Sequence, residues 1–315
     1  MTEKERLTEA EAEYRAAEDK RLDEAEVEAG GRGDETGPAE GLIYQYLEAE
    51  GYAGITNALL HVTEDEERAS SKGNVIYFPG DIQDSEATMT EDEWSSAFTA
   101  YSIEGTAKLL VDKFPGHAIW VVLPVRRDSS GYRSRYDNFL KEWEGEGSAS
   151  RHLLSLLNAA GCNQAPLSLV GFSRGSAVLN QLFQELGASG RRRQGEALEG
   201  DDGDEGERIA PPNAAHELFE RVSSVHWWVQ KPFYAYSSHM VDCVKAFPRD
   251  WGEWIKGFRL RLKVHWTPYR TPSHREDFEA TLPSISPFVK KTRAYFSGMD
   301  PSLALHFGVL DEFSP

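Results

Sequence analysis

The stretch Leu167-Ser168-Leu169-Val170-Gly171-Phe172-Ser173-Arg174-Gly175-Ser176-Ala177-Val178-Leu179-Asn180 decides the fold. It opens with an apolar run of strand length and passes through a Gly-x-Ser-x-Gly turn. Beyond the turn, Val178, Leu179, Leu182, Phe183 and Leu186 follow the three-to-four spacing of a helix face. The segment reads as strand, elbow, helix. Reversing direction within a few residues forces Ser173 into a strained backbone conformation and brings strand and helix together, and only glycine at 171 and 175 leaves room for that approach. The strain leaves the Ser173 hydroxyl at the tip of the turn. The first amide of the helix, that of Arg174, points toward any oxyanion formed there. Ser173 is therefore the candidate nucleophile. The pattern alone is common in loops; the strand before it and the amphipathic helix after it supply the context it requires, and the plain alternative is an ordinary turn with an unreactive serine.

The chain has 315 residues with 40% apolar side chains, including 8 Trp, 12 Tyr and 15 Phe, enough to fill the core of one large α/β domain with tails. A net charge of −18 works against binding a phosphate backbone, so nucleic acid is not an expected partner. The two cysteines, Cys162 and Cys243, have no Cys-x-x-Cys or Cys/His ligand spacing, and neither a disulfide framework, a metal site nor a cofactor is expected. The apolar run from Ala118 to Val125 is far shorter than the roughly twenty residues that cross a bilayer. The first residues, Met1-Thr2-Glu3-Lys4-Glu5-Arg6, carry neither a secretory nor a mitochondrial presequence pattern.

Residues 1–40, rich in Glu, Ala and Arg, read as an acidic helical or disordered tail, and a domain follows over 41–315. Leu42 to Leu47 is expected to be a short helix. Asn57 to Val62 and Asn74 to Phe78 are expected strands, the second stopped by Pro79-Gly80-Asp81, where a hydrolase places its second oxyanion donor. Thr90-Glu91-Asp92-Glu93 has the form of a capping box opening a helix that runs to Asp112. Ile119 to Leu123 is the next strand, and Arg151 to Leu157 a helix capped by Gly161. The segment 187–215, with its arginine triplet and acidic run, reads as a disordered charged insertion. Val222 to Val229, Leu260 to Trp266 and Arg293 to Phe296 are the remaining expected strands, with a helix around Phe278 and Leu282. Strict alternation of strand and helix argues a doubly wound, mostly parallel sheet, α/β-hydrolase-like, with its ligand site at the C-terminal strand ends. Pro79-Gly80-Asp81 and the serine elbow both fall there.

Several pieces together resemble the mitochondrial α/β-hydrolase-like family named for open reading frame sixty-nine of chromosome two. They are Val75 to Asp81, Ile119 to Val122, Tyr136-Asp137-Asn138-Phe139, Gly171 to Gly175 with Val178 to Leu182, Thr267-Pro268-Tyr269, His306-Phe307 and Glu312-Phe313. The resemblance implies an α/β-hydrolase fold with a serine elbow and a mitochondrial location. Where the family carries an aspartate-glycine pair after the strand holding the tryptophan, this chain has Trp228-Val229-Gln230-Lys231-Pro232. The triad acid is therefore missing or displaced.

The triad of an α/β-hydrolase runs serine, acid, histidine along the chain, so the base must come late. His239, His265, His274 and His306 qualify. His265 alternates within an expected strand and reads as structural. His306, expected in a loop after the last strand, is the candidate base, with His274 next. Asp242 and Asp277 are the candidate orienting acids, Asp242 preferred. The resulting expectation is a serine hydrolase acting on an ester or thioester bond of a small-molecule or acyl substrate, with Ser173, His306 and Asp242 catalytic and the amides of Arg174, Gly80 and Asp81 holding the oxyanion. The competing expectation is a hydrolase-like scaffold that acts by binding a protein partner through the acidic tail or the insertion.

Overall fold

A computed structural model describes residues 41–64, 72–128, 131–140, 148–193, 214–229, 260–267, 289–300 and 302–315. The acidic tail, Asp242, Asp277, His239, His274 and the expected helix around Phe278 lie outside these residues. Ten strands are described: β1 Ile43–Glu50, β2 Thr56–Thr63, β3 Gly73–Phe78, β4 His117–Val122, β5 Arg126–Arg127, β6 Ser134–Arg135, β7 Leu167–Gly171, β8 Val222–Val229, β9 Arg261–Trp266 and β10 Val289–Ala294. The helices are α1 Glu86–Glu91, α2 Ile103–Lys113, α3 Asp137–Leu140, α4 Ser148–Ala159, α5 Ser176–Arg193, α6 Ala214–Arg221 and α7 Leu303–Glu312.

Eight strands form one sheet in the order β1-β2-β4-β3-β7-β8-β9-β10, while β5 and β6 make a separate small hairpin. β2 runs antiparallel to both β1 and β4, and every pairing from β4 through β10 is parallel. With the hairpin set aside, consecutive strands therefore lie in the order 1-2-4-3-5-6-7-8 with the second reversed, the topology of an α/β-hydrolase. All six residues of β3 and all five of β7 are buried, as two-sided coverage of a parallel sheet demands. Along β3 the side chains alternate between two cores. Ile76 and Phe78 join Leu153, Leu157, Leu179 and Leu182 from α4 and α5. Val75 and Tyr77 join Ile103, Leu110, Phe307 and Leu310 from α2 and α7.

Four local expectations are corrected. Leu42 to Leu47 is no helix but the start of edge strand β1, in register with β2 from Ile43↔Thr63 to Glu50↔Thr56. Its dense apolar residues suit either period, and pairing across the tight turn at Gly51 selects the strand. The capping box at Thr90 does not start a helix: Thr90 Oγ1 donates back to Glu86 O within α1 (2.7 Å). Ser85 and Ser102 cap α1 and α2 instead, and Asp92 accepts the Ser95 N–H (2.7 Å), so side-chain bonds to nearby amides divide the expected long helix. α5 runs into the expected insertion as far as Arg193, and α6 begins at Ala214 with Ala215 fully buried. The last strand lies earlier than expected, at Val289–Ala294 rather than Arg293 to Phe296.

Candidate active site

β7 ends at Gly171 and α5 begins at Ser176, joined by a 3-10 turn over Ser173–Gly175. Ser173 has φ +51°, a left-handed conformation that costs a non-glycine residue on the order of 1–3 kcal/mol and persists only where the flanking structure imposes it. The flanking glycines show the imposition. A Cβ on Gly175 would sit 2.0 Å from the Phe78 carbonyl oxygen, and one on Gly171 2.7 Å from a Leu179 methyl, so any side chain at either position would drive strand and helix apart. The Gly175 N–H donates to Phe172 O (2.8 Å) to close the turn, and the Ser176 hydroxyl lies 2.7 Å from both Gly171 O and Trp228 O, tying the helix start to β7 and β8.

β3 is the neighbour of β7, with Phe78 paired to Gly171, so the Pro79-Gly80-Asp81 loop leaves the sheet beside the elbow. A Cβ on Gly80 would lie 2.8 Å from the Ser173 Cβ. Three side chains hold this loop: Gln83 and Ser134, which the sequence reading did not single out, and Tyr136, the first residue of the matched Tyr136-Asp137-Asn138-Phe139. Buried Gln83 accepts the Gly80 N–H (2.8 Å) and the Tyr77 hydroxyl (2.7 Å) at Oε1. Its Nε2 donates to Tyr101 O (2.9 Å) and Thr106 Oγ1 (3.0 Å). Ser134 Oγ donates to Gly80 O (2.7 Å), and the Tyr136 hydroxyl to Pro79 O (2.7 Å). The expected use of the Gly80 amide as an oxyanion donor is thus corrected, because that N–H is already engaged. Asp81 turns its carboxylate to the Ser134 N–H (2.8 Å). Burial raises its pKa above the usual carboxylate range, against the lowering effects of that hydrogen bond and of Arg174, Arg127 and Arg133.

His306 is not in a loop. It occupies the first turn of α7, which Ser302 caps by accepting the Leu305 N–H (3.2 Å). Leu303, His306, Phe307 and Leu310 are all buried, at the spacing of one helix face. The imidazole stacks on the ring of Phe172, the residue before Ser173, with centroids 4.6 Å apart. Phe307 stacks on the same ring (5.4 Å) and on Tyr101 (5.1 Å). His306 Nδ1 lies 3.1 Å from Thr267 Oγ1, at the end of β9. Thr267 carried a weak sequence signal, as the first residue of the matched Thr-Pro-Tyr; a lone Gln83 carried none.

His265 is buried as expected for a structural histidine, its Nδ1 2.9 Å from the Tyr295 hydroxyl and its Nε2 3.3 Å from His226 Nδ1. Among the described residues no cluster of three or more His, Cys, Asp or Glu is placed to hold a metal, and no helix is long and apolar enough to cross a membrane.

The family model C2orf69 matches residues 46–158, a stretch that ends before the elbow. A zebrafish (Danio rerio) protein named mitochondrial protein C2orf69 homolog is 32% identical in an alignment 144 positions long that covers 36% of this chain and 41% of the relative. The human mitochondrial protein C2orf69 is 33% identical in an alignment 113 positions long that covers 33% of this chain and 29% of the relative. The matched part thus spans less than half the length of either relative. The motifs quoted from the sequence and these matches point to the same family. Among solved structures, esterase Est22 is similar at TM-score 0.43 and 10% identity, over 87% of this chain and 77% of that one. A Pyrococcus furiosus esterase is similar at TM-score 0.43 and 9% identity, over 90% and 91%. No residue role is carried over from either.

Proposed function

For a chain whose residues 46–158 match the C2orf69 family, we propose a serine hydrolase that cleaves ester or thioester bonds. The observation that carries this reading is the φ of +51° at buried Ser173, at a turn whose neighbouring glycines admit no side chain. Strain of that kind at a strand end of a parallel sheet presents a hydroxyl to a ligand. In the proposed reaction Ser173 Oγ attacks the carbonyl carbon while His306 takes its proton. The Arg174 amide at the head of α5 stabilises the oxyanion of the tetrahedral intermediate. Collapse expels the alcohol or thiol, protonated by His306, and water activated by the same imidazole releases the acid and restores Ser173. In this reading His306 Nδ1–H donates to Thr267 Oγ1, 3.1 Å away, which leaves Nε2 as the base. Asp242 remains the proposed acid, outside the described residues.

The Thr267 contact also favours the second reading, a scaffold with little turnover. A hydroxyl facing Nδ1 supplies less charge stabilisation to an imidazolium than a carboxylate, and loss of the orienting acid costs about ten-thousandfold in turnover elsewhere. A fluorophosphonate probe separates the two. We expect wild-type protein to be labelled, Ser173→Ala not to be, and His306→Ala to react about 10²–10⁴-fold more slowly. Unlabelled wild type, or labelling that survives Ser173→Ala, leaves the scaffold reading. The names of the relatives support a mitochondrial location, checked by imaging the tagged full chain beside a matrix marker.

A further inference from the structure

We infer that the ester carries a negative charge on its acyl part, as a carboxylate or a phosphate, and that Arg133 and Arg174 are the specificity-determining residues that bind it. This rests on the serine-hydrolase reading of Ser173 and adds which esters the site takes. Residues 126–135 hold four arginines and one aspartate, in a chain that has 34 basic and 52 acidic residues. The hairpin of β5 and β6 brings that charge to the elbow. It follows the C-terminal end of β4 and is bonded along the loop after β3. The Ile82 N–H donates to Tyr132 O (2.7 Å), the Ser134 N–H to Asp81 Oδ1 (2.8 Å) and Ser134 Oγ to Gly80 O (2.7 Å). The same loop touches the nucleophile, since a Cβ on Gly80 would lie 2.8 Å from that of Ser173. Arg133 sits between two of the bonded residues, and Arg174 directly follows Ser173.

Three of the hairpin's arginines are already engaged. Arg126 and Arg135 share Asp137 (2.8 and 3.4 Å), and Arg127 is held by Asp84 (3.2 Å), Gln83 O and Ser134 Oγ. Arg133 is exposed and makes no ion pair among the described residues, and Arg174 is partly exposed. Both reach the field of the Asp81 carboxyl, as Arg127 does, each lowering its pKa against the larger effect of burial. Three guanidiniums from the elbow and the hairpin therefore surround one acid beside Ser173. Against Asp81 and Asp84 they leave an excess of positive charge, in a chain whose net charge is −18 and repels an anion at long range. A neutral acyl chain offers such a site nothing to pair with, whereas a carboxylate or phosphate matches the two-point donor geometry of a guanidinium. The order of strands says which part of the ester bears the charge. The loop and hairpin lie on the β3 side of β7, while His306 meets Thr267 at the end of β9, on the other side. His306 protonates the leaving group, so the arginines face the acyl part.

The test compares p-nitrophenyl hexanoate with the mono-p-nitrophenyl ester of adipate, which has the same chain length and a carboxylate in place of the terminal methyl. We expect the full chain to favour the adipate ester in kcat/KM by at least about tenfold, mostly through KM, and the preference to shrink as salt is added. Arg133→Gln and Arg174→Gln should each reduce the preference by about fivefold or more, and Arg133→Lys should restore part of it. Both esters are read on the same molecules, so a folding defect cancels from the ratio. Adipate and inorganic phosphate, added as competitors at constant ionic strength, distinguish the two anions: the stronger inhibitor shares its chemistry with the substrate. Wild type that is labelled by the fluorophosphonate but prefers the hexanoate ester, or cleaves neither, overturns the proposal while leaving Ser173 as nucleophile. Variants that slow both esters equally also overturn it, because the arginines then only hold Asp81 in place. Wild type that takes up no probe overturns the hydrolase reading and this proposal with it.

Discussion

Single residues show how tightly local chemistry is tied to distant packing. His152 on α4 is fully buried, and its Nδ1 accepts the Tyr52 N–H (3.1 Å) while its Nε2 faces Asn57 Oδ1 (2.8 Å). Its ring fills the place a Cβ on Gly51 would need, 2.2 Å from Nδ1, so the β1–β2 turn closes on the imidazole. Burial lowers its pKa from the usual 6.5 to about 4. Between those values the unfolded chain binds a proton that the folded chain refuses, so stability is full above about pH 6.5 and is lost as pH falls toward 4. We expect the melting temperature to fall between pH 7 and pH 5. His152→Gln should remove part of that dependence, about 1–2 kcal/mol of it, in melts at the two pH values. An unchanged slope would place the acid sensitivity elsewhere, with buried His226 the next group, its pKa lowered by burial, His265 and Lys263.

Among the elements, α4 and α5 are joined by a contact that neither periodicity suggests. Glu185 on α5 accepts the N–H groups of Ala149 (2.9 Å) and Ser150 (2.8 Å) and the Ser150 hydroxyl (2.6 Å), capping the N-terminus of α4 from another helix. Two of the four amides a helix start leaves open are satisfied this way, with a carboxylate at the positive end of the helix dipole. Glu185→Ala leaves them buried and unpaired, and we expect a loss of about 1–3 kcal/mol by chemical denaturation, with Glu185→Gln in between. The C-terminal helix α7 is held in the same cross-chain manner. Lys113 Nζ donates to Asp311 O (2.5 Å) and Phe313 O (2.9 Å), and the Tyr101 hydroxyl to Asp311 Oδ2 (2.6 Å). Those bonds seat His306 against Phe172. Neither the helix at Leu303–Glu312, where a loop was expected around His306, nor its place beside the elbow was read from the sequence.

For the whole molecule, the segments 1–40 and 194–213 are expected to be dispensable for folding. Neither carries a periodic apolar face, so their removal forfeits little burial at about 25 cal/mol per Å². Replacing a long connection by a short one changes closure entropy by only about 0.6 kcal/mol per twofold change in length. The deletion must respect α5 and α6, since Leu186 and Ala215 are fully buried. A chain lacking both segments, with a short Gly-Ser link from Arg193 to Ala214, should melt within about 8 °C of the full chain, and a larger fall would mean that one segment packs on the core. What the sequence alone determined was everything written in short-range pattern: the apolar strands buried on two faces, the alternation that makes the sheet mostly parallel, and the elbow at Ser173, because glycine spacing and side-chain period act over a few residues. Tertiary structure decided the rest. It turned Leu42 to Leu47 into an edge strand by pairing it with β2, placed His306 on a helix against Phe172, and joined Gln83 to Thr106 and Gly80 so that one expected oxyanion amide was already engaged. Those outcomes depend on partners far along the chain, and a hydrogen bond between distant residues leaves no periodic trace in either segment that makes it.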